Sequence, residues 1–262
     1  MQKIDKGYRI FKKAVSSDTS KSLFIAFNET INFVTQKNKK FKSWNDKKLH
    51  EFLINLRVKN KEKFSMIYDL MQENSVLEEF CIKNNLKKIS NNFLYDNEKN
   101  LTMRVQLRID PPVDTRNLYN WHQDSAYDNF NSNPKNGVVL WMPLIDAMIN
   151  EGAPEIKPKS HSEKNVFIIN SKWKKFHTPQ LTVPNKYLDK YVTKIVPMKR
   201  NSCLCMFANL FHKSGKNISN KVRFTVLARF NKINSKDFYL YRKSKTYKNL
   251  STKKKVQTAI YQ

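Results

Sequence analysis

No apolar run in this chain approaches the roughly 18 residues a membrane-spanning helix needs. The segment from Met1 to Gly7 also lacks the hydrophobic stretch of a secretory signal. Cysteine is sparse too. Three residues, an odd number, argue against a disulfide framework and fit a reducing compartment, so a cytoplasmic location is expected. Cys203 and Cys205, two apart in a strand-like run, are expected to pack as small apolar side chains. Glycine is limited to four residues, and lysine outnumbers arginine by about four to one. A surface that reads nucleic acid leans on arginine for base and bidentate phosphate contacts. The net charge of +27 is instead dispersed as lysine from Lys3 to Lys255. It reads as a compositional bias, not as a nucleic-acid groove. What remains is a positive field that attracts small anionic molecules.

What is present is material for a globular core. The chain is 40% hydrophobic with 17 Phe and 11 Tyr, and long enough for one sizeable core plus an accessory region. After a short basic segment, Leu23, Phe24, Phe27, Ile31 and Val34 recur at helical spacing between about 18 and 36, with Ser17, Asp18 and Thr19 as candidate caps. Helical patterns follow near 48–59 and 61–73. Ser75 to Glu78 has the form of a capping box opening a further helix to about Asn85. His50 is expected on a helix surface. From Met103 the period changes to two: Val105, Leu107 and Ile109 alternate with Arg104, Gln106 and Arg108. Further strands are expected at 138–144, 166–170, 192–197 and 202–207, with an irregular excursion at 171–191. Pro154 should leave the strand around Glu155 short or at an edge. Residues 232–262 read as a basic tail whose first aromatics dock on the core. The expected fold is mainly β with α: a jelly-roll barrel at 103–231 behind an α-helical N-terminal layer at 1–90, one domain over 1–262.

Three residues carry the candidate chemistry. His122 and Asp124, two apart on a segment read as extended, point the same way, and His212 is the best third ligand. Two imidazoles and one carboxylate suit a non-haem Fe(II) site with positions left open. Eleven residues after His212, Arg223 opens a strictly alternating run to Phe230. Phe224, Val226, Ala228 and Phe230 fall on one face, and Arg223, Thr225, Leu227 and Arg229 on the other. The short loop from Gly215 to Lys221 is expected to fold this strand back beside the one carrying His212. Arg223 then lies near the metal with its planar fork available to a carboxylate, and Ser214 shares that face. The strand at 103–110 reads equally as an ordinary half-solvated strand or as one presenting Gln106 or Arg108 to a cosubstrate or substrate. His161 is expected to hydrogen-bond structurally, and His177 has no expected partner.

The run Trp121 to Asp124, the segment Gly152 to His161, the run His212 to Gly215 and Arg223 together resemble the phytanoyl-CoA dioxygenase family of 2-oxoglutarate-dependent oxygenases, over roughly Met103 to Asn231. The resemblance implies a double-stranded β-helix with Fe(II) on His122, Asp124 and His212. It implies that Arg223, helped by Ser214, takes the far carboxylate of 2-oxoglutarate. It also implies that Trp141 lines the cosubstrate pocket, with Gln106 as a further candidate there. Arg108, Tyr127 and Arg229 are candidates for the primary substrate. The implied reaction consumes 2-oxoglutarate and O2, releases succinate and CO2, and hydroxylates an unactivated C–H of a small, anionic metabolite. A nucleic-acid-modifying oxygenase would share the iron site but bind through the basic surface. A non-oxidative cupin-like metal protein or isomerase would not need Arg223. The family's glycine-rich strand is replaced here by Gly152-Ala-Pro-Glu-Ile156, a departure that leaves every candidate ligand intact.

Overall fold

The computed structural model describes residues 4–94, 100–126, 136–175 and 178–233. A first strand, β1 (Tyr8–Phe11), is followed by α1 (Ser17–Thr35), α2 (Lys47–Lys59), α3 (Lys61–Gln72), α4 (Val76–Lys83) and α5 (Leu86–Leu94). Then come β2 (Leu101–Asp110), β3 (Gly137–Pro143), β4 (Glu155–Ile156), β5 (Ile168–Lys175), β6 (Thr178–Thr182), a short α6 (Asn185–Leu188), β7 (Lys194–Ile195), β8 (Cys203–Phe207), β9 (His212–Lys213) and β10 (Arg223–Lys232). The strands form an antiparallel five-stranded sheet in the order β1-β8-β3-β10-β2, a three-stranded sheet β7-β4-β9, and the hairpin β5-β6.

Two cores divide the faces of the large sheet. Between the sheets lie Val139, Trp141, Leu204, Met206 and Leu227 from one side, and Ile156, Val196 and Leu210 from the other. The opposite face, with Val138, Leu140, Cys203, Cys205, Phe224 and Phe230, packs under the helices. This is the jelly-roll barrel with an α-helical layer. The helical layer is anchored on β10: Phe224 lies 5.6 Å from Phe27, 4.9 Å from Trp44 and 5.9 Å from His50, ring centre to ring centre. Each such aromatic or aliphatic side chain, once buried, contributes about 1.5–3 kcal/mol. Leu23, Phe27, Ile31 and Val34 of α1 are buried as their spacing predicts.

Several local expectations are corrected. β10 does not pair with β9; it lies between β3 and β2, while β9 pairs with β4 in the other sheet. The reason is visible in its burial: both faces are covered, so it needs a neighbour on each edge, and the loop from Gly215 carries the chain between sheets. β4 is short, as Pro154 predicts, but central. The 171–191 excursion contains the hairpin β5-β6 and α6. Ser16, not a later residue, caps α1. Ser75 makes no side-chain cap bond, and Asn74 Oδ1 accepts the Val76 N–H in its place. β1, masked by its basic composition, adds an edge to the large sheet. His177, Tyr127 and the tail beyond 233 lie outside the described residues. No helix among the described residues is long and apolar enough to cross a membrane.

His50 is not on the surface. It is 3% exposed, and its Nδ1 accepts the Val222 N–H (3.0 Å) at the start of β10. Burial, with help from the Lys221 charge, pushes its pKa down to about 4. Below pH 6.5 the unfolded chain takes up a proton that the folded one refuses until about pH 4, so stability falls across that window. The loss is up to about 3 kcal/mol. Urea midpoints at pH 7 and pH 4.5 should show a smaller acid loss for His50→Gln than for the wild type; equal losses would remove His50 as the cause.

Candidate metal centre and cosubstrate pocket

His122 and His212 face each other across a single antiparallel bridge. Each donates its backbone N–H to the other's carbonyl, at 2.9 and 3.1 Å, so their side chains leave the same face and the rings lie 4.1 Å apart. Asp124 is not on an extended segment. It opens a 3-10 turn, Asp124–Ala126, held by the Ser125 N–H on Ala208 O (3.1 Å). Gln123, between the two candidate ligands, fixes the chain by donating to Asn209 O and accepting from the Val166 N–H. Gln180 of β6 does the same for the approach, bonding Leu118 O and the Asn120 N–H. The ligating atoms of His122, Asp124 and His212 lie within 4.8 Å of one another, and all three residues are buried.

The donor set fits a metal ion. His122 Nδ1 lies 2.7 Å from Asn120 O and His212 Nδ1 lies 2.8 Å from Leu210 O. A carbonyl only accepts, so each Nδ1 carries a proton and each ring turns its Nε2 to the centre, the nitrogen a metal would take. Asp124 Oδ1 is 3.3 Å from His122 Nε2 and 3.6 Å from His212 Nε2. Burial and the facing His212 push His122 down to about 4, so at neutral pH it is uncharged. Burial raises the Asp124 carboxyl, but the Arg229 guanidinium together with the His122 and His212 rings outweighs it and holds that group well below the usual carboxylate range. Electron-rich atoms therefore converge on a space suited to a cation.

A cavity of about 340 Å³ opens beside this centre, within the size range of small-molecule sites. Arg223, Ser214, Trp141, Gln106, Arg108 and Arg229 all line it, so the structure gathers the described candidate residues around one space. Arg223 is 4% exposed. Its Nε and Nη2 donate to Asp110 Oδ2 at 3.2 and 2.7 Å, and its Nη1 donates to the Gly152 and Gly215 carbonyls. Asp110 also meets Arg108 Nη2 at 3.3 Å and accepts from Asn117, so one carboxylate is shared by two guanidinium groups. Ser214 Oγ accepts the Tyr119 N–H and reaches Asn117 O at 3.3 Å. Arg108 Nε is buried without a partner among the described residues.

Asp110, Gly152, Gly215 and Tyr119, whose ring lies 5.2 Å from that of His122, are residues the sequence reading missed. Asp110 had a signal: it continues the face of Arg104, Gln106 and Arg108 by one more step of two. The glycines had one as well. In a chain with four glycines, a Cβ on Gly152, at φ +83°, would lie 2.5 Å from Arg223 Nη1, and one on Gly215 would meet Ala153 O at 2.1 Å. His161 lies outside the His122–Asp124–His212 group, and the expected hydrogen bond is not made by its Nδ1, which is buried without a partner among the described residues; the ring stacks on Phe207 at 5.1 Å instead.

A double-stranded β-helix with two histidines and one aspartate opening on an arginine-lined cavity defines a non-haem metal-site architecture. Solved structures similar to it include the epimerase SnoN from nogalamycin biosynthesis in complex with Fe3+, alpha ketoglutarate and nogalamycin RO, at 13% identity over 87% of this chain and 79% of that one (TM-score 0.55). AviO1 from Streptomyces viridochromogenes Tue57 matches at 16% identity over 88% and 92% (TM-score 0.53). The alpha ketoglutarate-dependent carbocyclase SnoK from nogalamycin biosynthesis matches at 13% over 87% and 80% (TM-score 0.51). At these identities the likeness is one of fold, and no curated protein matches the chain. The family model for phytanoyl-CoA dioxygenase (PhyH) matches residues 7–225, and the chain belongs to that family.

Asp124→Ala should weaken Mn(II) binding at least about 100-fold in equilibrium dialysis, as loss of one of three ligands requires. Wild-type affinity in that variant would remove Asp124 from the site. Gly152→Ala should displace the Arg223 guanidinium and raise the 2-oxoglutarate concentration needed for half-saturation by about tenfold, with Mn(II) affinity unchanged. An unaltered half-saturation would show that the cosubstrate is held elsewhere.

Proposed function

We propose that this chain is an Fe(II)- and 2-oxoglutarate-dependent oxygenase that hydroxylates a C–H bond of a small, anionic substrate, working as one oxygenase domain. The observation that carries the reading is the meeting of two Nε2 atoms and one carboxylate oxygen, with tautomers fixed by backbone carbonyls, beside an arginine-lined cavity. Family membership supports it. When bound, iron would couple oxidative decarboxylation of 2-oxoglutarate by O2 to insertion of one oxygen atom into the substrate, releasing succinate and CO2.

The residues have separate tasks in this reading. His122, Asp124 and His212 hold the metal and leave positions open for the oxoacid end of 2-oxoglutarate. Arg223 and Ser214 receive its far carboxylate, while Trp141 and Gln106 shape the pocket between. The Arg108–Asp110–Arg223 group keeps one net positive charge, which matches one carboxylate. The Arg108 Nε, buried without a partner among the described residues, is a donor a ligand oxygen would satisfy. Arg104 also lines the cavity and suits an anionic group on the substrate. Lysine is the default cation of the chain, yet four of its nine arginines line this one cavity, two of them, Arg223 and Arg229, turning a planar fork to the protein carboxylates of Asp110 and Asp124.

The test is anaerobic loading with Fe(II) and 2-oxoglutarate, then exposure to O2 with metabolite pools split on an anion-exchange resin. Succinate release above background is expected in the retained fraction, with a product heavier by one oxygen atom. Stimulation only by the unretained fraction, or only by RNA oligonucleotides, would overturn the anionic small-molecule reading. Arg104→Ala should raise the substrate KM about tenfold while leaving substrate-independent 2-oxoglutarate turnover unchanged.

A further inference from the structure

Asp124 presents its two oxygens to different partners. Oδ1 faces the two imidazoles. Oδ2 is taken by Arg229, whose Nε donates to it at 2.7 Å. The same guanidinium is steadied from its other end, Nη1 donating to Gln106 Oε1 at 2.9 Å. Gln106 and Arg229 come from the paired strands β2 and β10, with Gln106 opposite Leu227 and Arg104 opposite Arg229. The brace is therefore set by the register of the large sheet and not by a loop. The pair is shielded, with side-chain exposure of 14% for Arg229 and 6% for Asp124, so the contact is a persistent one and not a screened surface pair.

We propose that Arg229 is a positioning residue that confines Asp124 to one-oxygen coordination and so preserves an open position at the metal. A carboxylate that swings both oxygens onto an ion takes up one more coordination position. A site that must receive a chelating oxoacid and still admit oxygen has none to spare. Arg229 prevents the swing by occupying Oδ2 with a charge-assisted hydrogen bond aimed along the guanidinium plane. Arg229 thus supports the metal ligand and is not a substrate contact, because its Nε and Nη1 are directed at protein oxygens. This role rests on the reading that the triad binds a metal, and the two can fail separately.

The experiment uses Mn(II) alone as the probe. Water-proton relaxation per bound Mn(II) reports how many exchangeable waters the ion carries. With three protein ligand atoms, about three of six positions remain for water, and with a two-oxygen Asp124 about two remain. Arg229→Met should therefore lower the relaxation enhancement per bound Mn(II) by about one third. Arg229→Lys, which retains a cationic donor for Oδ2, should restore most of it, and a merely structural role would not produce that pattern. Gln106→Leu leaves Arg229 unbraced and carries the same test if the Arg229→Met chain does not fold: a drop is expected, and the wild-type value overturns the proposal. Unchanged relaxation in Arg229→Met overturns it, as does loss of Mn(II) binding in both Arg229 variants, which would show that Arg229 preserves the whole site. Failure of the wild type to bind Mn(II) would instead defeat the metal reading beneath it.

Discussion

β10 has no solvent face, and the molecule is arranged around that constraint. Phe224, Val226, Ala228 and Phe230 are sealed under the helices, while Arg223, Thr225, Leu227 and Arg229 turn into the barrel. Burying arginines is costly unless each finds a carboxylate or carbonyl. The neighbouring strand β2 and the turn after His122 supply them: Asp110 for Arg223 and Asp124 for Arg229. Breaking such a buried pair by removing one partner typically costs about 3–5 kcal/mol. The apolar face therefore does more than stabilise the fold. By pinning β10 against α1 and α2, it fixes where two guanidinium groups stand, six residues apart on one strand.

The metal centre depends on a second rigid element, the mutual backbone bonds of His122 and His212. These bonds set the separation of the two rings, and the local carbonyls of Asn120 and Leu210 set their tautomers. Nothing in this arrangement relies on a long flexible side chain. Asp124 alone could adopt more than one pose at a metal, and it is the ligand held by an arginine. Preorganised metal sites are built this way, with outer partners fixing what the ligands themselves leave free.

Scarcity sharpens the meaning of the residues that remain. Lysine serves wherever a solvated charge suffices, and four of the nine arginines stand at the cavity, where a fork can be used. Two of the four glycines lie against the Arg223 guanidinium, where a Cβ would collide with its donors or with neighbouring carbonyls. The high net charge carries less information, because it is dispersed along the whole sequence.

The sequence by itself determined the helical layer, the alternation of β2 and β10, and the three residues of the metal group. Apolar spacing records which face of an element is buried, and the ligand chemistry admits few residue types. The family resemblance rested on short motifs that survive without their surroundings. Pairing was another matter. Alternation in β10 says that it is a strand but not which strands flank it, and a short loop reads the same whether it closes a hairpin or crosses between sheets. His50 looked exposed because one polar residue on a helix cannot reveal the Val222 amide that meets it from 172 positions away. Asp110 and Arg229 acquired their partners only through strand register and a turn after His122, where residues more than a hundred positions apart are brought within hydrogen-bond distance. Such contacts depend on tertiary packing, and local pattern carries no trace of them.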